Sequence, residues 1–203
     1  MKKLLVLLFS LFFSLLSSTA VAKEYKTIFQ FSVNIPKNYI GVNDFNLDDV
    51  TNILKSETDV NISAWKSLLQ DSGIKKGEIF YNINDLENLE IFTNNINLIR
   101  DDSSYYKVLQ NDLIEFCPDY EKMLKSLANK KVTQLQCSIS SNPGLKGYSI
   151  YMEHIGMMPD ITTIQYLFWI SNSGMIAATL TCDFYNCAED RVVFKNLVSS
   201  IKY

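Results

Sequence analysis

The stretch ITTIQYLFWISNSGMIAATLTCDFYNCAEDRVVFKNLVSSIKY, residues 161–203, decides the fold. Ile164, Tyr166, Phe168 and Ile170 alternate with Gln165, Leu167 and Trp169; Ile176, Ala178, Leu180 and Cys182 alternate with Ala177, Thr179 and Thr181. Two alternating runs around Ser171-Asn172-Ser173-Gly174 predict a β-hairpin, since each run offers one apolar row and the turn supplies residues that tolerate a tight reversal. Beyond it, Phe194, Leu197, Val198 and Ile201 recur at i, i+3, i+4 and i+7, which predicts a helix with one apolar stripe. Such a stripe needs a sheet to cover, and the hairpin is the nearest one.

Working back from the hairpin, Tyr148, Ile150 and Met152 mark a preceding strand, Asn142-Pro143-Gly144 a turn, and Thr133, Leu135, Cys137 and Ile139 a strand before that. Short connections between consecutive strands require antiparallel pairing. Asp102 to Leu127 is expected to be mostly helical, with Tyr106, Leu109, Leu113 and Phe116 on one face. Pro118 then breaks or restarts the helix, and Tyr120, Met123, Leu124 and Leu127 form the next stripe. Earlier still, Glu78–Ile83 and Leu89–Thr93 suggest a pair of strands. Ile62, Trp65, Leu68 and Leu69 suggest a helix stopped at Gly73. Leu47, Val50, Ile53 and Leu54 suggest another helix, capped by Asn46. Phe29, Phe31, Val33 and Ile35 predict a half-buried strand ended by Pro36. Helices before and after such a sheet make an α+β fold: an antiparallel sheet flanked by helices, closing with a strand-hairpin-helix unit.

The first residues have a different character. Met1-Lys2-Lys3 is followed by an apolar run from Leu4 to Leu16 and by Ala20-Val21-Ala22. This is the pattern of a secretory signal peptide, expected to be cleaved after Ala22. The run is 13 residues long, short of the roughly 20 that a spanning helix needs, so no stable membrane anchor is expected after cleavage. Residues 23–203 are then expected to form a single domain in the periplasm or outside the cell. They carry 17 basic and 22 acidic side chains, and only Arg100 and Arg191 are arginines. No basic cluster marks a nucleic-acid footprint.

Cys117, Cys137, Cys182 and Cys187 all lie in this part. An even count in an exported chain favours two disulfides. Three pairings are possible and the spacing does not choose among them. The local pairs Cys117–Cys137 and Cys182–Cys187 are favoured, while Cys137 and Cys182, both on apolar strand faces, form a reasonable crossed pair. Zinc-type spacing is absent.

Three segments carry a resemblance to a known family: FSVNIPKNY at Phe31–Tyr39, the strand from Tyr148, and the hairpin that ends in FKNLVSSIK at Phe194–Lys202. The chain resembles the PsbP-like and DcrB-like superfamily. The resemblance implies an antiparallel sheet with helices on both faces. It also implies an accessory or binding role in membrane and envelope complexes, with no shared catalytic motif. DcrB-like proteins are commonly lipid-anchored, and this chain lacks the cysteine for that.

The chemistry-bearing residues point the same way. His154 is the only histidine and follows Tyr148, Ile150 and Met152 on one strand face. Its plain reading is a partly buried, hydrogen-bonded side chain; a Ser-His-Asp site would have to use it. Asp48, Asp49, Asp85, Glu87, Glu90, Asp101, Asp102, Glu115, Asp119, Asp183, Glu189 and Asp190 sit mainly at helix starts and in loops, where solvation and helix dipoles explain them. The glycines form neither a dinucleotide fingerprint nor a phosphate loop. No catalytic residue, metal or cofactor is expected. Among numerous aromatics, Tyr151 and Trp169 lie opposite the main apolar stripes and mark a possible binding face. The sequence reading is an exported, non-enzymatic accessory or binding module whose partner is an envelope protein or a small ligand. Alternatives are an inhibitor or immunity protein for an envelope enzyme, with a protruding loop at Asn84–Glu90 or Ser140–Lys146, or a periplasmic hydrolase with paired acids.

Overall fold

Ile161–Ile170 (β8) and Gly174–Asp183 (β9) pair antiparallel along their full length, Ile161 opposite Asp183 and Ile170 opposite Gly174. Gly174 has φ 85°, a left-handed conformation that costs little without a Cβ. The computed structural model describes residues 22–57, 59–71, 77–88, 93–101, 113–127, 134–141, 148–155, 160–170 and 174–202. The hairpin stands at the middle of a seven-stranded antiparallel sheet. Across the sheet the order is β3 (Tyr39–Val42), β4 (Gly77–Asn82), β5 (Asn95–Asp101), β9, β8, β7 (Tyr148–Ile155) and β6 (Gln134–Ser141). A separate ribbon pairs β1 (Ala22–Lys26) with β2 (Ser32–Pro36).

Side chains alternate along a strand, so residues opposite one another in register share a face. On one face lie Phe80, Ile96, Ala178, Leu180, Ile164 and Phe168. They are covered by Phe31, Val33 and Ile35 and by the closing helix α4 (Ala188–Ser199) through Phe194, Leu197 and Val198. Full burial of each such side chain is worth about 1.5–3 kcal/mol. Ile201 is buried too, though it lies just past the helix end. There the chain turns to pair with β2, the amides of Ser32 and Lys202 each donating to the other's carbonyl at 2.9 and 3.0 Å.

The opposite face holds two smaller clusters. Helices α1 (Leu47–Glu57) and α2 (Ile62–Asp71) bring Val50, Leu54, Trp65 and Leu69 onto Ile40, Val42, Ile79 and Tyr81 at the β3–β4 end. Helix α3 (Leu113–Leu127) brings Phe116, Cys117 and Tyr120 onto Ile150, Met152, Leu167 and Met175 at the β7–β8 end. Helices therefore flank the sheet on both faces, an α+β arrangement.

Several sequence expectations need correction. The N-terminal strand starts at Ser32, because Thr27–Phe31 make a turn with Gln30 at φ 69°. Two further strands, β1 and β3, went unpredicted. Ile53 is 43% exposed; the buried stripe of α1 runs through Val50, Thr51 and Leu54, as 100° per residue requires. Asn46 does not cap α1 with its side chain, which instead accepts from the Asn43 amide at 2.8 Å and donates to the Gly41 carbonyl at 3.0 Å. Asn61 caps α2, accepting from the amides of Ser63 and Ala64 at 3.1 and 3.2 Å. The partner strand of β4 begins at Asn95, after a 3₁₀ turn over Ile83–Asn88. Residues 89–92 lie outside the described residues, as do Gly73, 102–112 and the turns at 142–147 and 171–173. Pro118 neither breaks nor restarts α3, which runs through it. Proline there forgoes one backbone bond, and the neighbouring Cys117 is tied to β6 through Cys137.

Candidate binding face

Between the two helix-covered clusters on the opposite face, the sheet is floored by neutral polar side chains. Register aligns them in two rows. One runs His154, Thr163, Thr181, Asn95 across β7, β8, β9 and β5; the next runs Gln165, Thr179, Asn97 across β8, β9 and β5. Each row is apolar at both ends: Tyr81 and Leu135 bound the first, Ile79 and Met152 the second. Gln165 Nε2 donates to Thr179 Oγ1 at 2.9 Å, and Asn97 Nδ2 to Asn95 Oδ1 at 3.0 Å. Asn95, Asn97, Thr163, Gln165 and Thr181 are half-buried, so solvent reaches the floor between the helices. Among the described residues of the strands on this face, Asn97 Oδ1 and His154 Nδ1 are buried polar atoms with no hydrogen-bond partner. A buried polar atom without a partner costs about 1–3 kcal/mol, and such orphans mark places where a missing partner belongs. His154 itself is 4% exposed, and burial holds its pKa below the ordinary histidine value, favouring neutral imidazole. The hydrogen-bonded histidine of the sequence reading is thus buried, with one ring nitrogen unsatisfied.

Tyr151 and Trp169 do not stand together. Tyr151 is opposite Tyr166 on the α4 face, where their rings lie 5.1 Å apart and Tyr166 meets Phe194 at 5.7 Å. Its hydroxyl donates to Glu153 Oε2 at 2.6 Å, and Arg191 Nη2 of α4 donates to Glu153 Oε1 at 2.6 Å. Burial pushes the Glu153 carboxyl up, but Arg191 and Tyr151 outweigh it and hold the group below the usual carboxylate range. Tyr151 is thereby half-buried within a packed network. Trp169 pairs with Met175 in the backbone register, a different row; its side chain lies outside the described ones. Ala22, the expected cleavage position, opens β1 opposite Pro36.

The acids divide by environment. Asp190 in the first turn of α4 accepts from the Tyr39 hydroxyl on one oxygen and from Asn94 Nδ2 at 2.7 Å on the other. Asp85 nearby has its carboxyl pushed up by burial and by the charges of Asp190 and Glu189. Glu78 is fully buried on β4; Asn43 Nδ2 and the Tyr25 hydroxyl donate to Oε1 at 2.9 and 3.1 Å, and Oε2 has no partner. Burial raises its pKa despite those two bonds. The Tyr25 ring lies over Gly41, where an added Cβ would come within 2.8 Å of it, which explains glycine there. Among the described residues, no group of three or more His, Cys, Asp or Glu side chains is placed to hold a metal ion. The cysteines pair locally, Cys117 with Cys137 and Cys182 with Cys187.

No family model and no curated protein matches the chain. Solved structures do. The solution structure of cyanobacterial PsbP (CyanoP) from Synechocystis sp. PCC 6803 superposes with a TM-score of 0.51 at 11% identity, over 92% of this chain and 94% of that one. The chain has the PsbP-like fold. The Saccharomyces cerevisiae Ran-binding protein Mog1p superposes at 0.46 with 10% identity, over 91% of this chain and 96% of that one.

Within this PsbP-like fold the polar rows are the feature that sequence reading missed. Thr179, Thr181, Gln165 and Asn97 each pass as the outward residue of an alternating strand. Only the register brings them side by side, and only the placement of α1, α2 and α3 leaves them between two covered clusters. The signal available beforehand was that Thr163, Gln165, Thr179 and Thr181 are neutral, whereas a freely solvated strand face usually carries charges. The loop suggested at Asn84–Glu90 does not protrude over its described part, since Leu86 is fully buried against the α1–α2 cluster.

Proposed function

We propose that the protein is an exported, non-catalytic binding module that holds a neutral, hydroxyl-rich ligand against the polar rows, with glycans as the chemical class. The observation that carries this is the set of amides and hydroxyls from Asn95, Asn97, Thr163, Gln165 and Thr181, half-buried between helices beside the buried Thr179, with Asn97 Oδ1 left unpaired. Amide and hydroxyl groups donate and accept equally, and so do sugar hydroxyls. A charged ligand would call for a counter-charge on this floor, and the rows carry none beyond the neutral His154. Two disulfides support export to an oxidising compartment.

The test is titration of isotope-labelled protein with neutral cell-wall-type and storage-type oligosaccharides, read by amide shifts. Shifts centred on Asn97, Gln165 and Thr179, lost in Gln165→Ala and Asn97→Ala variants of unchanged melting temperature, are the expected result. Shifts confined to the α4 face, or none with any neutral sugar, would sink the ligand assignment. Hydrolysis of a glycan or ester that a single substitution abolishes would overturn the non-catalytic reading.

A further inference from the structure

We propose that the turn Phe184–Asn186 is a preorganised docking knob for a protein partner that offers an apolar pocket rimmed by lysine or arginine. Phe184 and Tyr185 are 46% and 75% exposed, their rings edge to face at 5.3 Å. The backbone beneath them is held at several points. Cys182–Cys187 closes the loop, and the Phe184 amide donates to the Asp160 carbonyl at 2.8 Å. Asp183 Oδ1 accepts from the amides of Tyr185 and Asn186 at 2.9 and 3.2 Å, while the Asp183 amide donates to Asn94 Oδ1 at 2.9 Å. A turn so tied, yet tipped with two adjacent aromatics in water, gains nothing for folding from their exposure. For binding, it offers aromatic area with little entropy left to lose.

The flanking charge selects the partner. Asp160 and Asp183 anchor the turn, Glu189 lies in the first turn of the helix that follows it, and residues 182–190 contain no lysine or arginine. An acidic rim repels anionic lipid headgroups and nucleic acid, and it disfavours a second copy of this acidic chain. It favours a cationic rim around the receiving pocket, with the aromatic pair as its centre.

A benzophenone amino acid placed at position 185 of the full chain, expressed in its own cells, tests the proposal against the same probe at Ile53, which is also exposed but lies on α1. The expected result is one discrete protein adduct from position 185 and none from 53. That partner, purified, should bind the unmodified protein and lose at least about tenfold in affinity to Tyr185→Ser and to Phe184→Ser. The affinity should also fall with salt, and Glu189→Lys should weaken it. Both aromatics are exposed, so circular dichroism is expected to show unchanged folding in the serine variants. Absence of a protein adduct at 185 overturns the proposal, as does an adduct whose affinity ignores Tyr185→Ser. Sedimentation with phosphatidylglycerol vesicles that Tyr185→Ser abolishes also overturns it, in favour of a membrane contact.

Discussion

Arg191 Nη2 lies 2.6 Å from Glu153 Oε1, tying the closing helix to a strand two places away from the one that leads into it. Glu153 is 6% exposed and carries its charge in the sheet face because Arg191 and Tyr151 between them occupy both oxygens. Arg191→Ala leaves a buried carboxylate with one partner and should destabilise the fold by about 1–3 kcal/mol, the Tyr151 bond keeping it from the upper range for broken buried pairs. Glu153→Gln, which keeps an acceptor for Tyr151, should cost less. Urea unfolding at neutral pH measures both. Since the folded pKa of Glu153 is depressed, its stabilisation is present above the ordinary carboxylate value and is lost as pH falls through the folded value. Arg191→Ala should flatten that acid limb.

Glu78 has the opposite sign. Its folded pKa is raised, so the folded state binds the extra proton, and stability falls as pH rises from the ordinary glutamate value through the folded one. Glu78→Gln removes a buried charge while keeping an acceptor for Asn43 and Tyr25. It should raise stability at neutral pH by about 1 kcal/mol or more and leave it unchanged at acid pH, where the native side chain is already protonated. Thermal melts at both pH values decide it; equal effects at the two would refute a charge-based cause.

His154 contributes a third pH dependence. Burial lowers its folded pKa, so below about 6.5 the unfolded chain takes up a proton that the folded chain resists, and stability drops on acidification. His154→Leu should remove that part of the slope between about pH 6.5 and the folded value. Because Nδ1 has no partner to lose, the substitution should cost little at pH 8.

Trp65 anchors α2 to the sheet, fully buried, with its ring 5.3 Å from that of Tyr81 and its Nε1 unpartnered. Trp65→Ala should cost about 3–5 kcal/mol through the cavity it leaves. Trp65→Phe removes the orphan N–H along with part of the ring and should cost clearly less. Denaturant midpoints of the two variants give the comparison.

The sequence by itself determined what depends on neighbours along the chain. The hairpin at 161–183, the stripe of Phe194, Leu197 and Val198, the helices around Trp65 and Val50, and the α+β class all follow from period and turn chemistry, which are local. The resemblance at Phe31–Tyr39 and Phe194–Lys202 led to the PsbP-like fold from local segments as well; that the two segments pack on each other through the Ser32–Lys202 bridge is a tertiary fact. Tertiary structure alone decided the strand order, because the paired residues of β5 and β9 lie 74 to 86 positions apart in a sequence that carries no signal for that pairing. That order places Asn97 beside Thr179, separates Tyr151 from Trp169, and joins Cys117 to Cys137 where the spacing left a choice. Alternation states that a residue has a face. Only register and the helices laid over the sheet state what that face meets.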